Sequence, residues 1–179
     1  MNDWNVIVTV NEGHLVDGCE LLQSLGELQR TAFHNVIVMR VDDVAQFVES
    51  LPHLLTDHLN ATEIISRISP VTDMFTFHSV EEFESRAQET LSKRLAELAG
   101  KQFHIRMHQR GWRDKLGECN EEAFLGEMVL LELERAGATC EVEFDDPDVI
   151  VAVETLDNRA GVSLWTREQL NRFPFLRVD

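Results

Sequence analysis

The sequence predicts an α/β (α+β) chain of two small domains, and three observations carry that prediction. Short stretches whose apolar residues recur at every second position alternate with longer ones in which they recur every third or fourth. These stretches fall in the order β-α-β-β-α-β over residues 1–69 and α-β-α-β-β-β from residue 79 onward. The chain has 179 residues, 44% of them apolar, which supplies enough core for two small domains and too much for a disordered polymer.

The elements of the first half follow in order. Asn5–Val10 reads as a strand with Val6, Val8 and Val10 on one face. Leu15, Cys19, Leu22 and Leu25 then recur at helical spacing, and Gly26 is placed to stop that helix. Leu28–Phe33 is a weaker strand and Asn35–Val41 a strong one, rich in β-branched residues. Asp42 and Asp43 suit a helix start, where a carboxylate accepts from free N–H groups. Val44, Phe47, Val48, Leu51, Leu54 and Leu55 continue as an apolar stripe. Glu63–Ser69 resumes the strand pattern, and Pro70 ends it. This order is the ferredoxin-like split βαβ unit. We expect it over residues 1–69, with a connector at 70–78 and a second domain at 79–179.

The second half opens on a capping box, Ser79-x-x-Glu82. Phe83, Ala87, Leu91, Leu95 and Leu98 form the stripe of that helix, and Gly100 closes it. In the strand Phe103–Arg110, Phe103, Ile105, Met107 and Gln109 share one face, and His104, Arg106, His108 and Arg110 share the other. A basic loop with Trp112 follows. Asn120 is placed to cap a helix whose core side would be Phe124, Leu125, Met128, Leu131 and Leu133, with Gly137 ending it. Cys140–Phe144, Asp148–Glu154 and Gly161–Trp165 read as strands joined by turns at 145–147 and 157–158.

Several classes are excluded. No run approaches the roughly 20 apolar residues that span a bilayer. Met1 is followed by Asn2 and Asp3, without the basic start and apolar run of a signal peptide. A cytoplasmic protein without membrane contact is expected. The cysteines, Cys19, Cys119 and Cys140, are odd in number and widely spaced, which favours buried thiols over a disulfide framework or zinc knuckle.

The net charge of −16 argues at first against a nucleic-acid partner. Its distribution argues otherwise. Seven of the 16 lysines and arginines (Lys93, Arg94, Lys101, Arg106, Arg110, Arg113 and Lys115) lie between positions 93 and 115. Only Glu97 and Asp114 oppose them there, so the window carries +5 and the rest −21. With a screening length of about 8 Å, a local basic surface acts independently of distant acids. Arg106 and Arg110 would offer guanidinium forks to phosphates, and Trp112 a stacking plane for an unpaired base. The alternative is a solvated face whose arginines pair with the chain's own carboxylates. Gly126, inside a helix, costs roughly 1 kcal/mol relative to alanine. Tight helix-on-sheet packing would explain it, and so would close approach of a ligand.

Metal and catalytic readings find no support in spacing. On a strand, His104 and His108 stand roughly 13 Å apart, too far to share an ion. His53 and His58 do not share a helical face. No nucleophile elbow, P-loop or dinucleotide fingerprint is present. The expectation is a chain that is not an enzyme and uses no cofactor and no metal.

Residues 103–166 resemble a THUMP domain, an RNA-binding module of tRNA-modifying enzymes. The matching pieces are FHIRMHQRG at 103–111, EEAFLGEMVL at 121–130, DPDVIVAVE at 146–154 and AGVSL at 160–164. FHNVIVMRV at 33–41 is similar to the ferredoxin-like domain that precedes THUMP in this family. The resemblance implies a grip on the tRNA acceptor end. The RNA-facing residues it implies are Lys93, Arg94, Lys101, Arg106, His108, Arg110, Trp112, Arg113, Lys115, Gly126 and Arg159. Neither a methyltransferase N-P-P-[YFW] motif nor a pyrophosphatase loop accompanies these pieces. Only 15 residues, Trp165 to Asp179, follow AGVSL, so no further domain is expected. The layout resembles the tRNA cytidine acetyltransferase adaptor proteins, which implies tRNA and a separate modifying enzyme as partners. A protein-interaction module without RNA binding is the rival reading.

Overall fold

The computed structural model describes residues 3–112 and 120–176. Among these, the chain forms a four-stranded and a five-stranded sheet, each in its own compact unit. Of the described residues, the first unit takes those up to Thr72 together with 170–176, and the second takes Asp73–Gln169. No helix among the described residues is long and apolar enough to cross a membrane.

In the first unit, β1 (Val6–Val10) leads to α1 (Leu15–Leu22), β2 (Glu27–Arg30), β3 (Val36–Arg40), α2 (Val44–Asp57), the short α3 (Ala61–Ile64) and β4 (Ile65–Pro70). The sheet order is β2-β3-β1-β4 with every pairing antiparallel, the ferredoxin-like connectivity that the element order predicts. β1 and β3 are the inner strands, and their residues are almost all buried. Asn5 ties the two together ahead of β1. Its Nδ2 donates to the Val41 carbonyl and its Oδ1 accepts from the Val41 N–H, both at 2.8 Å. Asp43 caps α2 by accepting from the Gln46 N–H at 3.0 Å, as its position before the apolar stripe predicts.

Two details differ from expectation. α1 ends at Leu22, well short of Gly26. That glycine is needed for a different reason, since a Cβ there would lie 2.6 Å from the Arg40 carbonyl oxygen. The unit also takes a segment from the far end of the chain. Phe173, Phe175 and Leu176 are buried, and the Ile68 N–H donates to the Phe175 carbonyl at 2.9 Å. Residues 170–176 therefore belong with the first unit and not with a domain running from 79 to 179.

The second unit begins earlier than residue 79. Asp73–Thr76 is a strand, β5, inside the segment expected to be a connector. α4 (Val80–Ser92), a 3₁₀ turn at Leu95–Glu97, β6 (Gln102–Arg110), α5 (Glu121–Arg135), β7 (Glu141–Val142), β8 (Val149–Leu156), β9 (Arg159–Thr166) and α6 (Arg167–Arg172) follow. The sheet order is β5-β9-β8-β6-β7, with β6 parallel to both β7 and β8 and the rest antiparallel. The strand expected over Cys140–Phe144 shrinks to two residues. Phe103, Ile105, Val149, Val151, Val153, Val162 and Leu164 form one face of this sheet, packed with Phe83, Ala87 and Leu91 of α4 and Leu125, Val129 and Leu133 of α5. Apart from Ala87, each such side chain contributes about 1.5–3 kcal/mol on burial.

The capping predictions locate both helices. Ser79 Oγ accepts from the Glu82 N–H at 3.1 Å, and Glu82 reaches back to the His78 N–H at 2.9 Å. Asn120 accepts from the Ala123 N–H at 3.3 Å. α5 stops in a Schellman turn: the Ala138 N–H donates to Leu133 and the Gly137 N–H to Glu134, each at 2.9 Å. Gly137 has φ +75°, where a side chain would be strained. The core side of α5 needs correction. Leu125, Met128, Val129 and Leu133 are buried, whereas Phe124 and Leu131 are exposed at 39% and 45%.

Candidate nucleic-acid interface

β6 presents its basic residues as the alternation predicts. His104, Arg106, His108 and Arg110 share the sheet face opposite the helices, in register with Ile150, Ala152, Glu154 and Leu156 of β8. That register introduces an acid the strand itself lacks. Glu154 is 1% exposed and sits between two of the expected RNA contacts. Its Oε2 lies 2.6 Å from Arg110 Nη1, and its Oε1 lies 3.4 Å from His108 Nδ1. A guanidinium whose charge is matched this closely by a buried carboxylate has little left for a phosphate. Arg110 and His108 thus serve the sheet.

Arg106 is different. It is half-buried and makes no ion pair or hydrogen bond among the described residues. Its charge reaches His104, whose imidazole is held below its ordinary range first by burial and then by Arg106. His104 packs edge-on against Phe144, with centroids 4.7 Å apart. Lys101, just before β6, likewise makes no ion pair within 4 Å among the described residues.

The other cations of the basic window divide the same way. Arg94 is bound at both ends, with Nη1 2.5 Å from Asp73 Oδ2 and Nε paired to Glu97. Glu97 raises the Arg94 pKa and is itself lowered in return. This residue locks the turn after α4 to β5. Lys93 has a solvent-exposed partner, Glu89, at 3.0 Å, a water-screened surface pair that holds the lysine only weakly. Arg113 and Lys115 lie outside the described residues. Arg159, at the start of β9, has Nη2 3.4 Å from Met74 Sδ.

Trp112 is committed to packing. Its ring lies 5.3 Å from that of Phe77 and rests against the core of the unit, at a backbone φ of 57°. It is not a free stacking platform. Gly126 is buried in α5, yet nothing stands within 4 Å of a Cβ placed there. Tight packing therefore does not explain it. It opens on a groove of about 360 Å³ lined by β6, α5 and the β7 segment. Glu122 and Glu127 line that groove, a poor setting for a phosphate backbone.

Sequence reasoning missed Glu154, Glu122 and Glu121. A lone acid in the apolar run VIVAVETL is the available signal for Glu154, since carboxylates are seldom buried without a partner. Glu121, in the first turn of α5, is 2% exposed, and neither carboxylate oxygen has a hydrogen-bond partner among the described residues. Burial, with Glu84 adding repulsion, pushes its pKa up to about 7. Among the described residues no group of three or more His, Cys, Asp or Glu is arranged to hold a metal ion.

A ferredoxin-like unit followed by a mixed sheet under two helices is the fold of THUMP-containing proteins, and solved structures bear that out. The chain is similar to PH1313 from Pyrococcus horikoshii, at 17% identity and a TM-score of 0.55, over 90% of this chain and 54% of that one. It is similar to a 4-thiouridine synthetase in complex with RNA and ATP, at 15% identity and 0.50, over 89% and 40%. It is also similar to a possible methylase from Clostridium difficile, at 14% identity and 0.58, over 90% and 40%. The chain thus spans about half the length of these proteins, or less. No family model and no curated protein matches it.

These likenesses establish a shared fold over about nine-tenths of this chain. They overturn the expectation that the chain is not an enzyme. The same fold recurs within proteins named as enzymes, the synthetase and the methylase above and a predicted N6-adenine-specific DNA methylase from Listeria monocytogenes among them.

Proposed function

We propose that this chain recognises the acceptor end of tRNA through its second unit and presents it for modification, with cytidine acetylation by a partner enzyme as the reaction the resemblance implies. The observation that carries the reading is Arg106, a cation on the open face of β6 that no carboxylate neutralises among the described residues. Lys101 and Lys93 stand before it in the chain, and Arg113 and Lys115 follow. Backbone phosphates are held by such cations without sequence preference, and they fix the register of the RNA. The RNA-bound thiouridine synthetase supports the reading, because this chain shares its fold over 89% of its length.

Fluorescence anisotropy with purified tRNA over a salt series is the test. About five phosphate contacts give a slope of roughly −4 in log K against log salt. Arg106→Glu should abolish retention at low salt while leaving the circular dichroism spectrum unchanged. Absence of tRNA binding by the parent chain even at low salt would instead favour a module that binds only protein.

A further inference from the structure

The groove beside Gly126 has no place in the reading above, and its chemistry differs from that of the Arg106 face. Phe103 and Ile105 of β6, Ala123, Gly126 and Leu130 of α5, and Val142 and Phe144 make an apolar trough. Phe144 is 68% exposed on one wall, and Phe124 and Leu131 stand exposed on the outer side of α5. Among the described residues its charged lining is acidic, from Glu122 and Glu127, and Glu141, Glu143, Asp145 and Asp146 follow one another in sequence at and just after β7. The space at Gly126 is part of the trough, because a Cβ there would meet nothing within 4 Å.

The backbone adds a second feature. β7 pairs with β6 only at Gln102 and Phe103. Beyond them, the outer edge of β6 has no strand partner among the described residues. The Met107 N–H on that edge is taken by Glu122 Oε1 at 2.7 Å, which leaves the second oxygen of Glu122 for another donor. An open edge beside an apolar trough is the arrangement that accepts an added strand, with backbone hydrogen bonds for affinity and side-chain pockets for choice.

We propose that this groove docks an extended polypeptide segment of a partner protein in which lysine or arginine alternates with large apolar residues. Alternate side chains of such a segment point to opposite sides. One set fills the trough over Gly126 and Leu130, and the other meets Glu122 and Glu127. The acidic lining rejects an RNA backbone and an acidic peptide by the same charge. The groove thus differs in charge from the Arg106 face, although His104 of that face also lines it.

The probe is a fluorescein-labelled nonapeptide alternating lysine with leucine and valine, titrated by anisotropy into the full chain. A matched peptide with glutamate in place of lysine is the control. The lysine peptide should bind saturably and the glutamate peptide should not. Glu127→Lys, at an exposed position, and Gly126→Leu, which fills the trough, should each weaken binding about tenfold or more, whereas Arg106→Glu should leave it intact. Phe144→Ala should weaken peptide binding and retain tRNA. Loss of tRNA retention in Phe144→Ala would assign the groove to RNA and overturn the proposal. Equal binding of both peptides, no binding of either, indifference to Glu127→Lys, or a concentration-dependent dimer that buries the groove would overturn it as well. Apart from the tRNA arm of Phe144→Ala, none of these results depends on whether the chain binds tRNA, so the two readings fail separately.

Discussion

Arg110 and Glu154 stand 44 residues apart in the chain, and their side chains meet on one face of the second sheet, Nη1 2.6 Å from Oε2. The arginine side chain is 13% exposed and the glutamate 2%. Removing one partner leaves a buried charge without its match. Arg110→Ala should therefore cost about 3 kcal/mol of stability, and Arg106→Ala less than about 0.5 kcal/mol. Urea unfolding of both variants checks the contrast. Equal midpoints would mean that Arg110 is as dispensable to the sheet as its neighbour.

Glu121 makes stability depend on pH in the direction opposite to a salt-bridged acid. Its pKa rises from 4.5 to about 7 on folding. Between these values the folded chain keeps a proton that the unfolded chain has released, so stability falls as pH rises through the window. Below it both states are protonated, and the penalty vanishes. Glu121→Gln should flatten this slope and raise stability above about pH 7 by about 2–3 kcal/mol. Urea midpoints of parent and variant at several pH values test it, and parallel curves would refute the assignment.

Gly126 gives the simplest stabilising change. Alanine is the better helix former, and its methyl group meets no atom within 4 Å. Gly126→Ala should raise stability by about 0.5–1 kcal/mol. A lowered thermal midpoint would show that the position is confined in a way the geometry does not reveal.

Arg94 joins Asp73 of β5 to Glu97 of the turn after α4. Its partial exposure tempers the energy, so Arg94→Ala should cost about 1 kcal/mol. The tRNA affinity of this variant should change far less than that of Arg106→Glu. A matching loss in both would return Arg94 to the RNA-binding set.

The sequence was a good guide wherever a signal is local. VIVMR of β3 carries its strand in its β-branched residues, and Asp43, Ser79 and Asn120 announce their helices by capping chemistry. Connectivity of the first sheet followed from element order. What stayed hidden depends on partners distant in the chain. The basic face of β6 looks continuous until β8 places Glu154 beside it. β5 reads as a connector because its four residues make a strand only against β9. Phe124 and Leu131 match the helical period of a core face, yet the sheet covers the neighbouring stripe instead. Gly126 stands out in the sequence as a glycine inside a helix, but only the surrounding space separates the packing that the sequence favours from an open groove.

The return of residues 170–176 to the first unit has a consequence for synthesis on the ribosome. The opening βαββαβ segment emerges first, yet the backbone partner of Ile68 is Phe175, translated about 100 residues later. Domains ordinarily fold as they appear. Here the unit made earlier waits until the whole second sheet has been translated before its final hydrophobic side chains are in place, and a premature stop codon after β9 would injure the βαββαβ unit upstream.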